Sequence, residues 1–232
     1  MQKFNISNAA VIFDLDDTIY FEADYVNSGV RYVCDQIKKL YGIDLYDKLQ
    51  AARAENKNLD WLSLVCELAG LASSVKESLL WMYRLHSPDI RLSSACEKAL
   101  KLIRSNACYA AVLTDGRSVT QRLKLNALCI ADLPTYISED YGSTKPAPAR
   151  FKLIQELQPA QFYIYVADNV KKDFLGCNPL GWIGIGMRGA GLNLYSQESQ
   201  ELPVASLPAC WVNGWEELAE LLVNNKIQPY HY

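Results

Sequence analysis

The stretch Ala9-Ala10-Val11-Ile12-Phe13-Asp14-Leu15-Asp16-Asp17-Thr18 decides the fold. Five apolar residues run straight into a cluster of carboxylates. A continuous apolar run of that length suits a strand covered on both faces, as in a parallel sheet. Residues 109–113, 136–137, 162–166 and 182–187 repeat the pattern. Between the later runs lie helix-period segments at 95–103, 119–128, 147–157 and 170–177. In the first of these, Ala95, Ala99, Leu102 and Ile103 share one face. Strands alternating with helices predict a doubly wound α/β domain. A loop over 189–208, a short strand at 211–212 and a helix at 215–222 close it.

One long stretch breaks the alternation. Val26, Val30, Val33, Ile37 and Leu40 follow a 3.6-residue period. Leu62, Val65, Cys66 and Ala69 form a second stripe, and Val75, Leu79 and Met82 a third. Gly42, Gly70 and Pro88 punctuate the series. Residues 21–90 are therefore expected to form a small all-helical domain of four helices. It interrupts a core made of 1–20 and 91–232. The stripes are read as packing faces.

Composition excludes several classes. The chain has 232 residues, half of them hydrophobic, and a net charge of −3. No Lys/Arg run offers a footprint for a nucleic acid polymer or an anionic membrane. No segment approaches the ~20 apolar residues of a membrane span, and the N-terminus lacks the apolar region of a secretory signal. The seven cysteines are scattered without a CxxC pair, which predicts reduced, buried thiols and a cytoplasmic protein.

Polar residues sit where the strands end. The first run leads into Asp14 and Asp16, the second into Thr114-Asp115-Gly116-Arg117, and the fourth into Asp168-Asn169, with Asp173 following. Lys145 lies in Gly142-Ser143-Thr144-Lys145-Pro146. Ligands of open α/β sheets bind at the carboxyl ends of the strands, so these groups are expected to meet. Converging carboxylates repel one another unless a cation joins them, and an oxygen-only set favours Mg²⁺. A carboxylate can attack phosphorus, and a second one two residues on can protonate a leaving group and then activate water. Lys145 can neutralise phosphoryl charge. Thr114, with the backbone N–H groups of Asp115 and Gly116, can hold the phosphoryl oxygens.

D-x-D-x-T, then Thr, then Lys, then D-N-x-x-x-D, in this order, resembles the haloacid dehalogenase-like hydrolase superfamily over nearly the whole chain. The resemblance implies a Rossmann-like three-layer core with a helical C1-type cap inserted after the first motif, here residues 21–90. It implies that Asp14 is the nucleophile, forming an aspartyl-phosphate. Asp16 is then the general acid/base with its backbone carbonyl on Mg²⁺. Thr114 and Lys145 match the phosphate-binding residues, Asp168 a direct metal ligand, and Asp173 a residue supporting the metal or Lys145. The run from Tyr83 to Ile90, the TDGR run with Gln121, and ADNVKKDF look like one branch whose members resemble phosphatases of sugar phosphates or nucleotides. Ala167 departs from the Gly usual in the fourth motif.

The reading is thus a Mg²⁺-dependent phosphohydrolase of small phosphomonoesters. A cap would close over a small phosphorylated metabolite and disfavour a protein substrate. The alternatives are a phosphomutase, a 2-haloacid dehalogenase or a non-catalytic binding protein. Dehalogenation would leave Asp16, Asp168 and Asp173 superfluous, and a scaffold would be expected to lose Asp14, Asp16 or Lys145. Arg117 is either a substrate-anion contact or a surface ion pair. Thr114 can simply cap a helix, and Asp173 can simply serve a helix dipole. His86 is read as a hydrogen bonder near the junction. Tyr20, Arg53, Trp61 and Arg84 could reach substrate from the cap, but each is read first as packing or surface. The sequence leaves the choice between monomer and homodimer open.

Overall fold

A computed structural model describes residues 4–56, 58–189, 193, 197, 202–224 and 226–227. The chain divides into two compact units, Met1–Ala23 with Arg91–Tyr232, and Asp24–Ile90.

The first unit holds a parallel sheet of β1 (Ala9–Phe13), β2 (Tyr109–Thr114), β3 (Thr135–Ile137), β4 (Phe162–Ala167), β5 (Ile183–Met187) and β6 (Cys210–Val212). Their order across the sheet is β3-β2-β1-β4-β5-β6, so the chain order reverses at β1. Ile12 pairs with Ala111 on one side and Tyr165 on the other. All five residues of β1 are fully buried, which explains why no alternation shows in its sequence. The strand ends bearing Asp14, Thr114 and Asp168 therefore lie side by side at the carboxyl-terminal side of the sheet.

The helical unit contains most of α1 (Glu22–Tyr41), then α2 (Tyr46–Glu55), α3 (Trp61–Leu68) and α4 (Lys76–Leu85). Val30, Val33, Ile37, Leu49, Val65 and Leu79 form its buried centre. Leu40, although in phase with the α1 stripe, is exposed at the last turn. Asp60 caps α3 by accepting the Ser63 N–H. His86 Nδ1–H donates to the Tyr83 carbonyl at 2.6 Å, leaving Nε2 to accept from the Ser28 hydroxyl at 3.1 Å. The Ser28 oxygen also accepts the Asp89 N–H, so His86 ties α1 to the chain beyond α4. Arg53 bonds Asn27 and Gln50 near the surface, Trp61 packs edge-on to Tyr83, and Arg84 lies over Trp81.

Helices α5 (Ser94–Asn106), α6 (Ser118–Ala127), α7 (Ser138–Tyr141), α8 (Ala149–Leu157) and α9 (Trp215–Val223) belong to the first unit. The helix expected over 170–177 does not form. Those residues make turns, followed by a 3-10 turn at Asn178–Leu180. Val170, Phe174 and Cys177 have helical spacing, but the Asn169 N–H is taken by the Asp173 carboxylate at 2.8 Å. Gly176 lies against the Pro146 carbonyl, where a Cβ would approach to 2.4 Å. Strand β5 is built around two more close approaches: side chains at 184 and 186 would collide with the rings of Phe174 and Trp211. Ala167, opposite Gly186, points its methyl into the same apolar cluster.

The expected loop over 189–208 carries a 3-10 turn at Val204–Ser206; residues 190–192, 194–196 and 198–201 lie outside the described set. All seven cysteines are free, but the expectation of uniformly buried thiols needs correction, because Cys108 and Cys129 are exposed. Among the described residues, no helix is long and apolar enough to cross a membrane.

Candidate active site

Asp14 is the first residue beyond β1. Its N–H still bonds the Val166 carbonyl at 2.9 Å, which fixes its backbone against β4. Lys145, from the loop before α8, places its ammonium 2.8 Å from Asp14 Oδ2 and 2.7 Å from Asp173 Oδ1. The same ammonium donates to the Tyr165 hydroxyl at 3.0 Å, and that hydroxyl donates to the Leu113 carbonyl. Carboxylate oxygens of Asp14, Asp168 and Asp173 all lie within 4.8 Å of one another.

This crowding sets the electrostatics. Burial pushes the Asp14 carboxyl up; Lys145 pulls it back and Asp173 pushes it up again, leaving it at about 6. Asp168, raised by burial and then by Asp14 and Asp173, reaches about 8. Burial disfavours the Lys145 ammonium, but Asp14 and Asp173 outweigh it and hold Lys145 well above the usual lysine range. Three converging carboxylates, two of them paired with one lysine, form an oxygen-only donor set with excess negative charge, which fits a hard divalent cation.

Asp16, two residues on, is held differently. Lys124 Nζ lies 2.7 Å from its Oδ1, Gln121 Nε2 donates to Oδ2 at 2.9 Å, and the Tyr20 hydroxyl donates to Oδ1. Burial alone would raise this carboxyl, but Lys124 and these donors bring it below its ordinary value. Asp17 accepts the Glu22 N–H at 2.8 Å and so caps the start of α1. Glu22 is raised to about 7 by burial and the nearby Asp16 charge.

Thr114 is buried at the end of β2, and its Oγ1 accepts from Gln121 Nε2 at 2.7 Å. Asp115 turns its carboxylate to Arg150 and to the Lys145 N–H, at 3.1 and 3.2 Å. Arg150, almost wholly buried, also donates to the carbonyls of Thr114 at 2.8 Å and Tyr136 at 3.0 Å. One guanidinium thereby ties β2, β3 and the Lys145 loop together. Gly116 departs from expectation. Its N–H donates to Ser138 Oγ at 2.9 Å, because α7 begins beside the end of β2, so it is engaged within the fold. Its φ of +150°, with the Gln121 side chain 3.0 Å from where a Cβ would stand, makes any larger residue strained there.

A cleft of about 180 Å³ opens here, lined by Asp14, Asp16, Asp17, Glu22, Thr114, Asp115, Asp168, Asn169 and Lys172. The structure thus brings together Asp14, Asp16, Thr114, Lys145, Asp168 and Asp173. Arg117 is not among the lining residues; it is half-exposed and meets Glu139 at 3.5 Å. Sequence reasoning missed Lys124, Tyr165, Arg150, Asn193 and Gln197. Asn193 Nδ2 donates to Asp168 Oδ2 at 2.8 Å, and Gln197 Nε2 to the Asp168 carbonyl at 3.1 Å.

No protein-family model matches the chain. It is 24% identical over 230 residues to glyceraldehyde 3-phosphate phosphatase of Methanocaldococcus jannaschii, covering 93% of this chain and 97% of that protein. A putative beta-phosphoglucomutase from Thermotoga maritima shares the fold at a TM-score of 0.64 and 16% identity, with 93% of this chain and 97% of that one covered. A putative HAD-hydrolase from Bacillus subtilis, bound to magnesium, superposes at a TM-score of 0.60 and 18% identity, covering 92% and 98% of the two chains. The chain thus shares the fold of haloacid dehalogenase-like hydrolases, and its four motifs gather at the carboxyl ends of the strands.

Proposed function

We propose that the protein is a phosphohydrolase of small phosphomonoesters, a sugar phosphate or a nucleoside monophosphate, with Asp14 as nucleophile. The observation that carries this is the Asp14–Lys145–Asp173 arrangement, with Asp16 beside it in the same cleft. Lys145 holds Asp14 in place and offers positive charge where phosphoryl oxygens would lie. Asp14 attacks phosphorus; the ester P–O bond breaks, and its electron pair goes to the alcohol oxygen, which takes a proton from Asp16. Water then attacks the phosphorus of the aspartyl-phosphate, giving its proton to Asp16 and restoring the Asp14 carboxylate. Asp14, Asp168 and Asp173, with the Asp16 carbonyl, would hold Mg²⁺, which when bound supplies charge neutralisation at the phosphoryl group. The phosphatase relative supports the reaction class.

The test is phosphate release from a panel of sugar phosphates, nucleoside monophosphates and phosphorylated acids, with Mg²⁺ and with EDTA. Release that requires Mg²⁺ and concentrates on one class is expected. No release from any member, p-nitrophenyl phosphate included, would sink the proposal. Lys145→Ala is expected to lower kcat by about 10²–10³-fold, since it removes the charge facing the phosphoryl group. Wild-type rates would move Lys145 out of the reaction.

A further inference from the structure

Asp16 is gripped by side chains that lie outside its own motif. Lys124 and Gln121 stand one turn apart on α6, so they share a face. That face meets the strand ends: Gln121 is 1% exposed and the Lys124 side chain 5%. Lysines are seldom buried this far unless they are paired, and the acid 2.7 Å from Lys124 Nζ is Asp16. The Lys124 ammonium also lies 6.0 Å from the centre of the Tyr20 ring, whose hydroxyl donates to the same carboxylate. The backbone of Asp16 is fixed as well, by an isolated bridge to Tyr20. The Gln121 amide touches both Asp16 Oδ2 and Thr114 Oγ1, so one helix face sets both groups.

We propose that Lys124 is a positioning residue that, with Gln121 and Tyr20, aims the Asp16 carboxyl at the leaving-group oxygen. The inference rests on the phosphohydrolase reading above. Proton transfer needs the donor within hydrogen-bond reach, and a misplacement of about 1 Å can cost about 10²-fold in rate. An untethered Asp16 would swing between rotamers, while Asp14, Lys145 and the carboxylates around them stayed in place.

The leaving group provides the readout. An alkoxide must be protonated as the P–O bond breaks, whereas p-nitrophenolate leaves as the anion. The parameter kcat/KM covers the steps through alcohol release, so the later use of Asp16 toward water does not enter it. The experiment measures kcat/KM with Mg²⁺ for glycerol 1-phosphate and p-nitrophenyl phosphate, in wild type, K124M, K124Q, K124R and D16N. K124M is expected to lose about 30-fold on glycerol 1-phosphate and less than about threefold on the nitrophenyl ester. D16N should show the same contrast more strongly, and K124R should recover most of the loss. Equal losses on both esters, or no loss on either, would overturn the proposal. If K124M does not fold, K124Q carries the same comparison, because its shorter side chain falls short of Asp16 while keeping a polar group in the buried site. Wild-type protein inactive on both esters overturns the phosphohydrolase reading and this inference with it. An active wild type whose K124 variants ignore the leaving group overturns this inference alone.

Discussion

Asp14→Asn is expected to remove turnover, by about 10⁴-fold or more, while the fold survives. An amide oxygen is a poor nucleophile toward phosphorus, and no other described carboxylate sits at the end of β1 against Lys145. The fold should tolerate the change for an electrostatic reason. Asp14 is buried, and desolvation is the largest influence on its carboxyl, so a neutral amide is cheaper to bury. Lys145 keeps its second carboxylate, Asp173, at 2.7 Å. Phosphate release at saturating ester, with a melting curve alongside, checks both halves. Turnover above about one per cent of wild type would place the nucleophile elsewhere.

Arg150→Met should have the largest effect on stability, about 3 kcal/mol. The methionine fills much of the same space but leaves the carbonyls of Thr114 and Tyr136 without their donor and the Asp115 carboxylate without its cation. For a chain of this size, 1 kcal/mol moves the melting temperature by roughly 2–4 °C, so a fall of about 6–12 °C is expected. Activity should fall too, since Asp115 holds the Lys145 backbone. A melting temperature within about 2 °C of wild type would show that the guanidinium network adds little.

These two residues differ in how far the sequence exposes them. Asp14 closes an apolar strand and opens a motif, so its place at the carboxyl end of the strand follows from the strand alone. Arg150 stands in the first turn of α8, where an arginine in a chain pattern reads as surface. Only the three-dimensional return of β2 and β3 gives it partners, the nearest being 14 residues away. Lys124 is the same case: between Leu123 and Leu125 on α6 it looks solvated, and its carboxylate lies 108 residues earlier. Helix α2 escaped the stripe-by-stripe reading because it buries a single residue, Leu49. The misread helix at 170–177 had the right apolar spacing. Periodicity cannot see a side-chain carboxylate that captures the backbone N–H at its start, as Asp173 does to Asn169. Strands were legible because burial on both faces leaves a run that nothing else explains.

The position of β1 at the centre of the sheet has a consequence for how the chain is made. Ala10 must wait for Tyr109, and Ile12 for Tyr165, before either edge of the strand is paired. At synthesis rates of about 5–20 residues per second, β1 spends roughly 5–20 s on the growing chain with both edges open, and roughly 8–30 s before its second edge has a partner. The helical unit, whose contacts are local, can fold during that interval. The fully buried central strand of the first unit is thus also the one exposed longest, and the rate at which β4 emerges sets the window in which a chaperone or a misplaced partner can find it.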